Sequence, residues 1–131
     1  MPMYQCHVPP ERFDDQQRAA VAKSLTEIHC SVTGAPSTFV HIVFRDGQPA
    51  WSDAPFSIHG GIRSGRSREV TNALVSQMTR ALADAADVDP ADVAMRTIET
   101  PASWIMEGGR VLPEPGAEAE WLAADTTKVT Q

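Results

Sequence analysis

Apolar residues in the first third of the chain fall at Val21, Leu25, Ile28 and Val32, spacings of four, three and four that a 3.6-residue turn places on one face. This pattern predicts an amphipathic helix over residues 13–32. Asp14, three residues before Gln17, predicts the capped start, and Gly34 with Pro36 the stop. Ahead of the helix, Met3-Tyr4-Gln5-Cys6-His7-Val8 reads as a short strand that Pro9-Pro10 ends, because proline lacks a backbone donor. Behind it, the β-branched and aromatic run over 38–44 predicts a second strand, closed by a turn at Asp46-Gly47. The first half is therefore a β-α-β unit.

The second half repeats this grammar after an irregular stretch over 45–65, in which His59-Gly60-Gly61-Ile62 reads either as an edge strand or as a loop lining a site. Val70, Leu74, Met78, Leu82 and Ala85 form a second near-fourfold stripe and predict a helix over 67–87, with a break at Asp89-Pro90. A strand is expected over 93–98, and a small one at Val111-Leu112 beyond a turn region over 103–109. From 117 to 131 the acidic and Thr-rich composition predicts a solvated, mobile tail. The expected architecture is α+β: one domain over 1–131, a pseudo-repeated β-α-β chain with two helices packed on one face of a mainly four-stranded sheet.

Size and charge narrow the possible functions. A chain of 131 residues and 14.2 kDa supports one core but not a deep cleft between two domains. An enclosed site would thus draw on a neighbouring subunit. A net charge of -6 and a pI near 5.1 argue against nucleic acid or an acidic membrane as partner. No apolar run is long enough to span a bilayer and no basic-then-apolar leader is seen, so a cytoplasmic location is expected. Cys6 and Cys30 form no closely spaced ligand set with His7 or His29, which speaks against a metal centre or a disulfide framework.

Against this acidic background, Arg63-Ser-Gly-Arg66-Ser-Arg68 concentrates three of nine arginines just before a helix. A guanidinium fork and free helix-start amides suit a carboxylate or phosphate, while solvated helix-start charge is the plainer reading. The pattern lacks the glycine spacing and lysine of a P-loop. His29, four residues after Leu25 near the end of the first helix, either packs and caps carbonyls or orients water from a cleft. Glu107 lies in a turn between Trp104-Ile105-Met106 and Gly108-Gly109-Arg110, where an apolar approach would raise its pKa and a cation would lower it. Pro2 directly follows Met1; loss of Met1 exposes a secondary amine, an acid when protonated and a base when neutral.

Several separated segments together carry a resemblance. They are the Met-Pro opening, Ala22-Lys23-Ser24-Leu25-Thr26-Glu27-Ile28-His29 with Thr33-Gly34 behind it, Arg63-Ser-Gly-Arg66-Ser, Glu99-Thr-Pro101, and Met106-Glu107-Gly-Gly109-Arg110-Val-Leu112-Pro-Glu-Pro115-Gly116. From Pro2 to about Trp121 the chain resembles the tautomerase superfamily, in the branch of cis-3-chloroacrylic acid dehalogenase. The resemblance implies a β-α-β pair assembled as a homotrimer, with the proline in a pocket near a subunit boundary. It implies Pro2 as catalytic amine, His29 as a substrate or water contact, Glu107 as the carboxylate that activates water, and Arg63 and Arg66 as carboxylate clamps. One position departs: where the dehalogenase has a tyrosine, the comparison lands on Arg96, a cation that cannot act as a phenol. Arg96 then reads as an additional substrate clamp or as an interface ion partner.

The resulting expectation is a small homotrimeric enzyme without cofactor, acting on a small carboxylate-bearing substrate. Its reaction is proline-dependent tautomerisation of a 2-oxo acid or hydration of a short unsaturated acid. The alternatives are cis-3-haloacrylate dehalogenation, which Arg96 disfavours, and a non-catalytic trimer that binds a ligand or partner.

Overall fold

The computed structural model describes residues 1–129. Strand β1 (Met3–Val8), helix α1 (Asp15–Thr33) and strand β2 (His41–Asp46) form the first unit; β3 (Phe56–Arg63), α2 (Arg68–Ala86) and β4 (Val93–Thr100) form the second. The sheet order is β2-β1-β3-β4. β1 runs parallel to β2, β3 runs parallel to β4, and the two units join through the antiparallel β1–β3 pair, with Met3 opposite Gly61 and Gln5 opposite His59. The expected α+β pseudo-repeat is thus the observed fold.

Local signals set the helix ends. Asp14 accepts from the Gln17 amide while the Gln17 side chain accepts from the Asp14 amide, a complete capping box. Gly34, at φ 78°, closes α1 by donating to the Cys30 carbonyl. Ser67 caps α2 through the Val70 amide, and Asp87 ends it in the left-handed region that aspartate tolerates better than most residues. Both helices cover one sheet face. Tyr4, Cys6 and Val8 alternate into that layer from β1, meeting Ile58 and Ile62 of β3, Val21 and Leu25 of α1, and Leu74, Met78 and Leu82 of α2. The α2 stripe ends on buried Ala86 rather than on Ala85, which is exposed.

Four expectations change. The strand expected over 38–44 begins only at His41, because Ser37–Phe39 is a single 3-10 turn that buries Phe39. The 59–62 segment is neither edge nor loop but part of the inner strand β3, with residues 59–61 paired on both sides and Ile62 paired to β4. Its alternation is hidden because β3 is buried on both faces over much of its length, and because Gly60 leaves its place to a neighbour's ring. A Cβ there would lie 2.8 Å from Tyr4 Cε1. The small strand expected at Val111-Leu112 is Arg110–Val111 (β6), half of a hairpin with Met106–Glu107 (β5). Finally, the stretch expected as a solvated tail carries helix α3 (Glu118–Val129); residues 130 and 131 lie outside the described residues. Helix α3 is tied down where it begins. Glu118 pairs with Arg63, and Trp121 stacks on Phe39 with centroids 5.6 Å apart, lies under the Arg110 guanidinium at 3.9 Å and donates to the Val111 carbonyl at 2.7 Å. Among the described residues, no helix is long and apolar enough to cross a membrane.

Candidate functional site

The chain start is folded into the structure. Pro2 is buried, and its carbonyl accepts from the His41 amide at 2.9 Å, which stitches the residue before β1 to the first residue of β2. The Met1 amine contacts the Glu107 carboxylate on the β5–β6 hairpin, and His41 Nε2 stands 3.8 Å from the other carboxylate oxygen. Burial, then the charge of Arg63, lowers the terminal amine from 8.0 to about 6.

His29 occupies the buried face of α1 with no exposed surface, and its Nδ1 lies 2.7 Å from the Tyr4 hydroxyl. Burial first, then Arg66, Arg63 and the terminal amine, lower its pKa from 6.5 to about 3, so the ring is neutral near pH 7. Burial raises the Tyr4 phenol, which keeps its proton. With that hydroxyl donating to Nδ1, the neutral imidazole carries its hydrogen on Nε2. Nε2 is buried and has no hydrogen-bond partner among the described residues.

The end of β3 and the turn after it deliver the two arginines. Arg63, 1% exposed, donates through Nη1 to the Pro113 carbonyl at 2.6 Å and through Nη2 to Glu118 at 2.9 Å, with its guanidinium 5.4 Å from the Phe39 ring centre. Arg66 Nη1 reaches back to the Arg63 carbonyl at 3.4 Å. Arg63 Nε and Arg66 Nη2 are buried without a partner among the described residues, as is His29 Nε2. Buried donors left unpaired are costly, so three of them in one region mark a place built to receive an acceptor. An open cleft of about 450 Å³ lies beside Arg66, bounded also by Arg68, Thr71, Asn72 and Glu99 at the start of α2.

The structure therefore brings five of the six expected site residues into one electrostatically coupled region: Pro2 with the chain terminus, His29, Arg63, Arg66 and Glu107. Arg96 stands apart within the chain. It is exposed on β4 opposite His59, donates from Nε to His59 Nδ1 at 2.9 Å and lies 4.7 Å from the Trp51 ring centre. This is the sheet face away from the helices, whereas His29 lies on the helix face. Three residues not singled out in the sequence join the region: Tyr4, His41 and Glu118. Tyr4 carried a weak signal, as the sole tyrosine on the core phase of β1; the other two are ordinary polar residues until the fold pairs them. Among the described residues, no group of three or more His, Cys, Asp or Glu is placed to hold a metal ion.

The family model described as putative oxalocrotonate tautomerase enzyme matches residues 1–126. The chain belongs to the tautomerase family. Among solved structures, this tautomerase-family chain is similar to N1, described as a member of the cis-3-chloroacrylic acid dehalogenase family. Identity is 35%, covering 93% of this chain and 91% of that one, with a TM-score of 0.85. It is also similar to native Ps01740, at 32% identity over 81% of this chain and all 100% of the other, with a TM-score of 0.73. A fused 4-OT described as an asymmetric trimer shares the fold at 19% identity, covering 84% and 95% of the two chains, with a TM-score of 0.74. Comparison with curated proteins returns no significant match. Within the superfamily, the chain falls in the branch resembling cis-3-chloroacrylic acid dehalogenase.

Proposed function

We propose that, once Met1 is removed, this chain is a cofactor-independent tautomerase of a small 2-oxo carboxylic acid, with the Pro2 nitrogen as its base. The observation that carries the reading is the buried chain start, where burial and the charge of Arg63 lower the amine of Met1, which is close enough to His29 to influence it. The same surroundings, burial and a nearby guanidinium, favour the neutral form of the Pro2 amine once it is exposed, and a neutral amine can take up a proton. In the reaction, neutral Pro2 removes the enol O–H proton and returns it to the adjacent carbon as the C=C bond becomes the ketone C=O. Arg66 holds the substrate carboxylate, and His29 Nε2–H donates to the oxygen on which charge develops. Assembly as a homotrimer belongs to this proposal. It is supported by the exposed apolar side chains Met3, Ile98, Trp104 and Met106, which a neighbouring copy would cover.

A second reading, hydration or hydrolytic dehalogenation of a short unsaturated acid, is favoured by one observation, the Glu107 carboxylate at the chain terminus. There Glu107 would activate water and protonated Pro2 would donate to carbon. The pH dependence separates the two. For tautomerisation, kcat/KM on an enol acid rises with pH as the Pro2 amine loses its proton and falls at least about 100-fold in Pro2→Ala. For hydration or halide release, the rate falls as the amine loses its proton. An intact mass that retains Met1, together with flat assays in both proteins, supports the non-catalytic trimer instead.

A further inference from the structure

The buried pair formed by Tyr4 and His29 has a direction as well as a length. Neither side chain has any exposed surface, and the Tyr4 hydroxyl lies 2.7 Å from His29 Nδ1. Among the described residues the hydroxyl has no other hydrogen-bond partner. If Nδ1 carried the imidazole hydrogen it would donate to the phenol oxygen, and the phenol's own hydrogen would be buried without an acceptor. With the phenol as donor, both atoms are satisfied. Burial holds the phenol above its ordinary pKa and the imidazole below its own, so the proton stays on oxygen and the ring stays neutral. A neutral ring that accepts at Nδ1 carries its hydrogen on Nε2.

The surroundings of Tyr4 keep this hydroxyl in place. Its ring stands edge-on to the imidazole, with centroids 5.6 Å apart and planes at 64°. On the adjoining strand its register partner is Gly60, where a Cβ would lie 2.8 Å from Tyr4 Cε1 and 3.0 Å from Cδ1. The tyrosine ring thus fills the space that a side chain on Gly60 would take. The same hydrogen bond sets the orientation of the imidazole, because a ring turned over about its Cβ–Cγ bond would present a carbon to the hydroxyl. Nε2 is left on the far side of the ring from Tyr4, buried and unpaired among the described residues, where Arg66, Arg63 and the chain terminus all act on the imidazole.

We propose that Tyr4 is a positioning residue: its hydroxyl selects the His29 tautomer and ring orientation that present Nε2–H to the substrate oxygen, and Gly60 supplies the room its ring needs. Tyr4 acts through His29 and does not itself touch the substrate. The assignment rests on the proposed function for what Nε2–H does in the reaction, whereas the tautomer is a property of the protein alone.

Ring-nitrogen magnetic resonance of the isotopically labelled full chain at neutral pH, paired with enol-acid kinetics, tests it. Wild type should show His29 with hydrogen on Nε2 and none on Nδ1. In Tyr4→Phe the two nitrogen shifts should move toward each other as the second tautomer becomes populated. In the same variant kcat should fall about tenfold with KM within about twofold of wild type, since the donor acts on charge that develops in the transition state. Ile58→Val trims one methylene from the buried core and also lowers stability, but it removes no polar group; it should leave the His29 shifts in place and kcat within about twofold of wild type, a result that separates positioning from loss of stability. Hydrogen on Nδ1 in wild type overturns the proposal, as does a folded Tyr4→Phe that keeps either the wild-type nitrogen shifts or the wild-type kcat. Should that variant not fold, the wild-type spectrum decides alone. Absence of enol turnover in a wild type that carries hydrogen on Nε2 removes the reaction itself, a failure of the underlying reading that is distinct from a wrong tautomer.

Discussion

Acid should destabilise this protein chiefly through one side chain, buried His29, before it protonates the carboxylates. His29 titrates at 6.5 in the unfolded chain but only at about 3 when buried in α1. Its folded pKa is lowered, so the unfolded state binds the additional proton, and stability present above 6.5 is lost progressively as pH falls toward 3. The whole window corresponds to roughly 4–5 kcal/mol, and the part lost between about pH 7.5 and 5 to about 2 kcal/mol. That is a large share of a typical stability of about 5–15 kcal/mol. The measurement is the urea unfolding free energy at the two pH values and one fixed protein concentration, for wild type and for His29→Gln. Glutamine preserves an acceptor for the Tyr4 hydroxyl but cannot titrate. His7, His41 and His59, also lowered chiefly by burial, are present in both proteins and cancel in the difference. Glu118, whose folded pKa lies below its ordinary 4.5, contributes stability that is lost only at still lower pH. Wild type should lose about 2 kcal/mol more than the variant. Equal losses, or a magnetic-resonance titration placing the folded His29 midpoint near 6.5, would refute the reasoning.

Two further predictions concern the support beneath the site. Gly60→Ala places a Cβ 2.8 Å from the ring of Tyr4, which has no exposed surface into which to move. Overpacking of about 1–3 kcal/mol should outweigh the entropic gain of about 0.4–1 kcal/mol that alanine usually brings, and lower the Tm. A Tm at or above wild type would mean that the sheet yields at this point. Tyr4→Phe removes the partner of His29 Nδ1 at 2.7 Å and leaves a buried ring nitrogen unsatisfied, at a cost of about 1–3 kcal/mol. Thermal unfolding checks this, and an unchanged Tm would show that the hydroxyl is not what satisfies the ring.

How much of this was legible in the sequence depended on how far along the chain each cause acts. The bounds of α1 and α2 were readable to within about two residues because their signals act over a single turn: the Asp14–Gln17 box, Gly34, and Ser67 bonding Val70. The two β-α-β units followed, since each apolar stripe needs a sheet face to cover it. Strand β3 was not readable, because alternation is lost where both faces are buried and where Gly60 is dictated by a ring on another strand. Helix α3 was misread for a related reason. Its acidic, Thr-rich composition describes an unpartnered chain, and it does not contain Arg63, which lies 55 positions before Glu118.

The candidate site divides in the same way. Residue types and the order of motifs determined, from the sequence alone, which side chains to consider and which family they suggest. The tertiary structure decided their states. It placed His29 against Tyr4, 25 positions away, in a buried setting that keeps the ring neutral, and it set Arg96 on the other face of the sheet. It also turned one of two similar arginines into an internal ion pair while leaving the other with a free donor. A sequence fixes the identity of a charge or a donor, but burial and the partner supplied from elsewhere in the chain decide whether that group is available for chemistry.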